Sequence, residues 1–187
     1  ISNLTSGFFK VDEPGLYYVS GTAATADITG TRTTILNYYF VGLANDRTVE
    51  DGIYSIRPKG DNSLAIDIDG HQNGSGAKVL TADYDGTDYQ KFYFKYVGNG
   101  YYKIINCKTK LVLDVEGART DVGTAIQQCI DSDNSAQRWQ VIPIDGHYYL
   151  VPEVANYRAM DVSYAGDTLK AGKKIQIWNL NATDPQF

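Results

Sequence analysis

Leu111-Val112-Leu113-Asp114-Val115 ends an apolar run on a carboxylate, and 23 residues after that Asp the chain reads Gln137-Arg138-Trp139. The same two landmarks stand upstream, as Leu64-Ala65-Ile66-Asp67-Ile68 with Gln90-Lys91-Phe92, and downstream, as Arg158-Ala159-Met160-Asp161-Val162 with Gln186-Phe187. Asp67, Asp114 and Asp161 are each 47 residues apart, and the three glutamines are 47 and 49 apart. Two landmarks kept in step over three copies define a unit of about 47 residues. Such a unit cannot bury its apolar face alone and packs against copies of itself.

Each unit opens on Gly followed by alternating apolar and aromatic residues: Gly52-Ile53-Tyr54-Ser55-Ile56, Gly100-Tyr101-Tyr102-Lys103-Ile104 and Gly146-His147-Tyr148-Tyr149-Leu150. No stretch sustains a 3.6-residue period, and turn clusters such as Gly98-Asn99-Gly100, Asp145-Gly146 and Asp85-Gly86 separate short β-rich runs. The chain therefore reads as all-β, with repeats over 52–99, 100–145 and 146–187. Residues 1–51 are a β-rich N-terminal segment. Within it Gly7-Phe8-Phe9-Lys10-Val11, Leu16–Gly21 and Thr34–Tyr39 imitate the first three strands of a further, worn copy. The third repeat reaches Phe187 without the closing strand seen as Tyr93–Tyr96 and Gln140–Ile142 in the others, and Thr34–Val41 is the segment expected to supply it.

The 187 residues suffice for one domain, or one domain and an appendage. A net charge of −5 argues against nucleic acid as a partner, because phosphate binding needs a basic face. No apolar stretch reaches the roughly 18 residues of a membrane span. The start, Ile1-Ser2-Asn3-Leu4, has neither Met nor the basic and apolar regions of a signal peptide, which suggests a processed or excised piece. Cys107 and Cys129 fall in one repeat. Pairing would close a loop worth roughly 3 kcal/mol, and two separate small apolar side chains are the alternative.

Three copies of a strand-end Asp and a Gln-x-Trp/Phe resemble the ricin-B-type lectin family, a family of carbohydrate-binding β-trefoils, over residues 52–187. The resemblance implies a β-trefoil with pseudo-threefold symmetry. It places Phe92 and Trp139 in the shared core and gives each repeat one shallow sugar pocket. It also implies a non-catalytic lectin-like module without cofactor, secreted or at the cell surface, of a kind that can form part of a longer chain. Its partner would be a glycan or polysaccharide of galactose or xylose type.

The chemistry of such a pocket is simple. A pyranose has an apolar face on which an aromatic ring stacks, and a rim of hydroxyls that a carboxylate and amides take. On the family pattern the carbohydrate-binding candidates are Asp161, Gln176, Trp178 and Gln186 in the third repeat, where Pro185 replaces the usual Asn. In the second repeat they are Asp114 and Gln127, with Cys129 in place of the ring. In the first they are Asp67 and Tyr84, with Leu80 and Ala82 at the amide and ring positions. Period-2 geometry puts Gln176 and Trp178 on one face of their strand and Ile175 and Ile177 on the other. Each Asp has a plainer reading, as an acceptor of turn N–H groups. A structural or protein-interaction trefoil with decayed pockets is the competing function.

Asp83-Tyr84-Asp85-Gly86-Thr87-Asp88 imitates a calcium loop. The repeats hold Asp131-Ser132-Asp133-Asn134 and Asn179-Leu180-Asn181 in the same place, so a turn-rich loop is expected there rather than a metal site. His71 and His147 have no partner at metal-ligand spacing. Catalysis has no motif; a glycosidase would be expected to carry an acidic residue in one copy only, and Glu116 and Glu153 are the candidates.

Overall fold

The computed structural model describes residues 15–27, 30–42, 46–163 and 168–180. Its strands are β1 (Gly15–Asp27), β2 (Gly30–Gly42), β3 (Gly52–Tyr54), β4 (Leu64–Ile68), β5 (Val79–Asp83), β6 (Phe92–Gly98), β7 (Tyr101–Asn106), β8 (Val112–Val115), β9 (Ile126–Cys129), β10 (Trp139–Ile144), β11 (His147–Pro152), β12 (Arg158–Val162) and β13 (Ile175–Asn179). The three repeats thus contribute β3–β6, β7–β10 and β11–β13, and the fold is a β-trefoil. Among the described residues no helix is long and apolar enough to cross a membrane.

Barrel strands follow the path β11-β10-β7-β6-β3, all antiparallel. Asn99-Gly100 and Asp145-Gly146 are the two-residue turns joining β6 to β7 and β10 to β11. All four residues have positive φ (53°, 78°, 48° and 79°), the primed turn that matches the right-handed twist of a tight hairpin. Each repeat adds a cap hairpin: β4 with β5, β8 with β9, β12 with β13. Isolated bridges Lys78↔Gln127, Ala125↔Gln176 and Leu80↔Lys174 close the three caps into a ring, each hairpin touching the next.

Alternation fills the interior. Along β6 and β7 the buried residues are Phe92, Phe94, Tyr102, Ile104 and Asn106, while their neighbours in sequence are partly or fully exposed. Phe92 and Trp139 are both fully buried in the common cluster with Leu113, Met160, Ile175 and Ile177. The Trp139 indole N–H donates to the Leu113 carbonyl at 3.1 Å, so the ring enters the core with its polar atom satisfied.

β1 and β2 pair with each other over 13 residues each, from Gly15↔Gly42 to Asp27↔Gly30, and with no other described strand. Leu16–Gly21 and Thr34–Tyr39 thus lie on the two strands of one hairpin, whose strands are far longer than the four- and five-residue strands of the cap hairpins. Residues 34–41 do not close the barrel as expected, because their ladder runs to β1 instead. Gly7–Val11, Pro185, Gln186 and Phe187 lie outside the described residues. Cys107 and Cys129 are free thiols.

Candidate functional site

Antiparallel register sets the position opposite each strand-end carboxylate. Asp67 faces Leu80, Asp114 faces Gln127 and Asp161 faces Gln176. Cross-strand neighbours on one face are close enough for a side-chain hydrogen bond, and both amides make it. Gln127 Nε2 donates to Asp114 Oδ1 at 2.9 Å, and Gln176 Nε2 donates to Asp161 Oδ2 at 3.0 Å. In the first repeat Leu80 offers no donor, and Asp67 Oδ1 is left buried without a partner. All three carboxylates are 5–6 % exposed. Burial pushes the Asp114 carboxyl above its usual value, a shift that the Gln127 and Gln137 hydrogen bonds oppose.

The repeating glutamine is a clamp. Gln90 Nε2 donates to Asp67 Oδ2 (3.0 Å) and to the Asp83 carbonyl (2.8 Å), while its Oε1 accepts from the Asp85 and Gly86 N–H groups. Gln137 repeats the pattern on Asp114 Oδ2 (3.1 Å), the Ile130 carbonyl and Ser132 N–H. Both amides are buried and tie the strand-end Asp to the loop that precedes the core aromatic. Every polar atom they own is used within the protein, so in these two repeats the glutamine orients the carboxylate.

Ring positions differ more. Ile175 and Ile177 are fully buried in the core, as the alternation requires, and Gln176 is buried against Asp161. Trp178 is partly exposed and stands opposite Ala159. Its ring flanks Gly123 of the second repeat, whose φ is +83°. A Cβ there would lie 3.8 Å from Trp178 Cζ3 and 3.7 Å from Gln176 Oε1. The neighbouring loop is fastened by Gly123 N–H to the Ile177 carbonyl (2.9 Å) and by Arg158 Nε to the Thr120 carbonyl (2.6 Å). Asp161, Gln176 and Trp178 are thus gathered on one hairpin, with a wall from the second repeat. At the ring position of the second repeat, Cys129 accepts from Ser75 Oγ at 3.1 Å.

In the first repeat the expected substitute ring is placed elsewhere. Tyr84 lies beneath the Arg57 guanidinium, 3.7 Å from the ring centroid, and hydrogen bonding with Ser55, then with Arg57, lowers its phenol pKa. The aromatics beside Asp67 are His71, whose Nε2 is 3.4 Å from Asp67 Oδ2, and Tyr89, stacked on His71 at 4.2 Å and 2°. Sequence reasoning passed over this pair. The signal was present: Tyr89 immediately precedes Gln90, where the other copies have Ala136 and Pro185.

The calcium-like loops are turns closed by protein groups. Lys103 Nζ sits 2.8–2.9 Å from Asp131 and 2.9 Å from Asp133, and Asp85 Oδ1 accepts the Thr87 N–H at 2.9 Å. No cluster of three metal-ligating side chains occurs among the described residues. Glu116 is paired with Lys78 and Arg119, and Glu153 with Arg138.

A family model described as ricin-type β-trefoil lectin domain-like matches residues 88–178. Among solved structures, a designed threefold-symmetric protein, ThreeFoil, is 30 % identical with TM-score 0.66, over 73 % of this chain and 95 % of its own. A Polyporus squamosus lectin, solved with a human-type influenza-binding epitope, is 16 % identical with TM-score 0.63, over 74 % of this chain and 47 % of its own. An exo-β-1,3-galactanase from Clostridium thermocellum is 19 % identical with TM-score 0.61, over 85 % of this chain and 38 % of its own. The chain therefore spans less than half the length of these two natural proteins. No curated protein matches it.

Proposed function

Since the chain belongs to the ricin-type β-trefoil lectin-like family, we propose that it is a non-catalytic carbohydrate-binding module that takes a glycan at the third repeat. The observation that carries this reading is Trp178, a partly exposed ring on the same strand as the amide that holds Asp161. In the proposed complex the apolar face of a pyranose stacks on Trp178, and ring hydroxyls donate to the Asp161 carboxylate. Gln176 fixes that carboxylate and Gln186 completes the rim; Asp114 with Gln127, and Asp67, serve weaker or lost pockets. A galactose- or xylose-type glycan and a secreted or surface location fit a lectin-like module that occupies part of a longer protein.

The test uses the two tryptophans. Trp139 is fully buried and Trp178 is not, so a sugar-induced change in indole fluorescence reports the third repeat. Titration with galactosides and xylo-oligosaccharides should give a saturable change, and Trp178→Ala should weaken binding at least tenfold, about 1.4 kcal/mol. Wild-type affinity in that variant, or no binder at millimolar sugar, would refute the proposal. One observation favours a second reading, a trefoil kept for protein contacts. The Asp–Gln pair persists in the second repeat, where Cys129 stands in place of the ring, so the pair has architectural value of its own. Recovery of a protein partner whose binding free sugars leave unchanged would select it.

A further inference from the structure

A tyrosine–arginine pair, Tyr157-Arg158, opens the second strand of the third repeat where the other repeats have Ser63-Leu64 and Lys110-Leu111. Arg158 stands opposite Asn179 in the β12–β13 hairpin, one step beyond the Ala159↔Trp178 pair. Its Nη1 donates to Asn179 Oδ1. Its Nε donates to the Thr120 carbonyl, in the second-repeat loop that reaches Trp178 through Gly123. Tyr157 is 52 % exposed, and the guanidinium lies 5.0 Å from its ring centroid. Resting on the reading of this repeat as the sugar site, we propose that the glycan it takes is acidic. Next to the pyranose stacked on Trp178 lies a sugar bearing a carboxylate, and Arg158 binds that carboxylate.

Charge is the first support. Arg47, Arg119 and Arg138 all face carboxylates. Arg158 faces none among the described residues, although the chain carries −5. Its hydrogen bonds use two of the five N–H donors of a guanidinium, and neither acceptor is charged. The remaining donors suit a planar carboxylate, which a guanidinium takes through parallel N–H bonds. At the other end of the same loop, Lys174 Nζ donates to the Gly123 carbonyl at 2.9 Å, again with no carboxylate partner among the described residues. Two cations thus bracket the loop 120–123 beside the ring.

Preorganisation is the second support. Thr120, Asn179 and the Tyr157 ring hold the guanidinium in place, so little side-chain freedom is lost when an anion arrives. Tyr157 and Val122, 52 % and 37 % exposed, add apolar surface on which a second sugar can rest. Asp121 is the opposing group: it is exposed in the same loop and makes no ion pair with either cation. Removing its charge should therefore favour the acidic ligand.

The test titrates matched glycans. A xylo-oligosaccharide with one glucuronic acid branch and a galacto-oligosaccharide ending in glucuronic acid are each compared with the carboxyl-reduced form, in which glucose replaces the acid. The acidic member should bind about three- to tenfold tighter at low salt. That ratio should fall toward one at about 1 M salt, where the Debye length is about 3 Å. Arg158→Leu installs the residue that the other two repeats carry and should bring the ratio to one. Arg158→Lys should keep part of it, Asp121→Asn should raise it, and Trp178→Ala should weaken both members of a pair alike. Because the readout is a ratio within one variant, a shifted Thr120 loop, which lowers both affinities, does not mimic loss of the anion contact. Equal binding of the two members by the wild type, or a ratio that survives in Arg158→Leu, overturns this inference and leaves the sugar site standing. No binding of any glycan removes the sugar site and this inference with it. Tighter binding of a sulfate-ester counterpart, or equal binding of a short Glu-containing peptide, would overturn the carboxylate sugar as the ligand.

Discussion

The first and third repeats carry the same carboxylate on the same hairpin and differ in what faces it. Asp161 meets Gln176, and two residues on stands Trp178; Asp67 meets Leu80, and two residues on stands Ala82. The first repeat has instead turned inward on itself, with His71 stacked on Tyr89 beside Asp67. The second repeat sits between them, with the amide and without the ring. Whatever survives in all of these comparisons is architecture, and whatever appears only beside Asp161 is a candidate for recognition.

The largest test of that division is the shared core. Trp139→Ala should destabilise the fold by roughly 3–5 kcal/mol in denaturant unfolding, because it empties the centre of a cluster to which all three repeats contribute. Next comes the clamp. Gln137→Ala strips Asp114 of a donor and leaves the Ser132 N–H without its acceptor, so a loss of about 1–3 kcal/mol is expected. Gln90→Ala should cost a similar amount. A change below about 0.5 kcal/mol in either would mean that the glutamine is not the structural constant of the repeat.

Leu80→Gln asks the opposite question, by giving the first repeat the partner it lacks. The new amide would lie opposite Asp67 in the register that pairs Gln127 with Asp114 and Gln176 with Asp161. Supplying a donor to the buried Asp67 Oδ1 should add up to about 1 kcal/mol, offset in part by the apolar surface that Leu80 gives up. A clear loss of stability would mean that Leu80 is fixed by packing and that the orphaned oxygen costs little.

The fold was legible because its signals repeat. Three strand-end carboxylates in step and three Gly-aromatic openings identify a trefoil, and the Phe92/Trp139 position belongs to the core in both repeats where it is described. Site chemistry was legible only as far as strand geometry carries it. Period-2 alternation correctly buried Ile175 and Ile177, and the same logic brings Gln176 to Asp161. It could not show that Tyr84 is captured by Arg57, because that contact joins the side chains of two loops, one after β3 and one after β5. The His71–Tyr89 stack was hidden for the same reason: it depends on a turn at Gly70-His71 where both residues have positive φ. The closing strand was misplaced onto 34–41 because a β-rich sequence does not say which edge it will pair with.

The smallest test concerns the seam between the first two repeats. Lys78 forms an ion pair with Glu116 across it, and the next seam cannot repeat it, since Ala125 stands 47 residues after Lys78 and Ser163 stands 47 after Glu116. The Lys78 hydrogen bond, aided by Arg119, holds the Glu116 carboxyl below its ordinary value of 4.5. A carboxyl lowered in the folded state stabilises above its unfolded value, and that contribution is lost as pH falls through the lower, folded value. Both partners are more than a third exposed, so solvent screening limits the effect to a few tenths of a kcal/mol. Lys78→Met should therefore unfold slightly more easily than wild type at pH 7, and the two stability curves should converge as pH drops below about 4.5. Curves that stay parallel through acid would assign the difference to Lys78 packing at the seam and remove its charge from the account of how unequal repeats are joined.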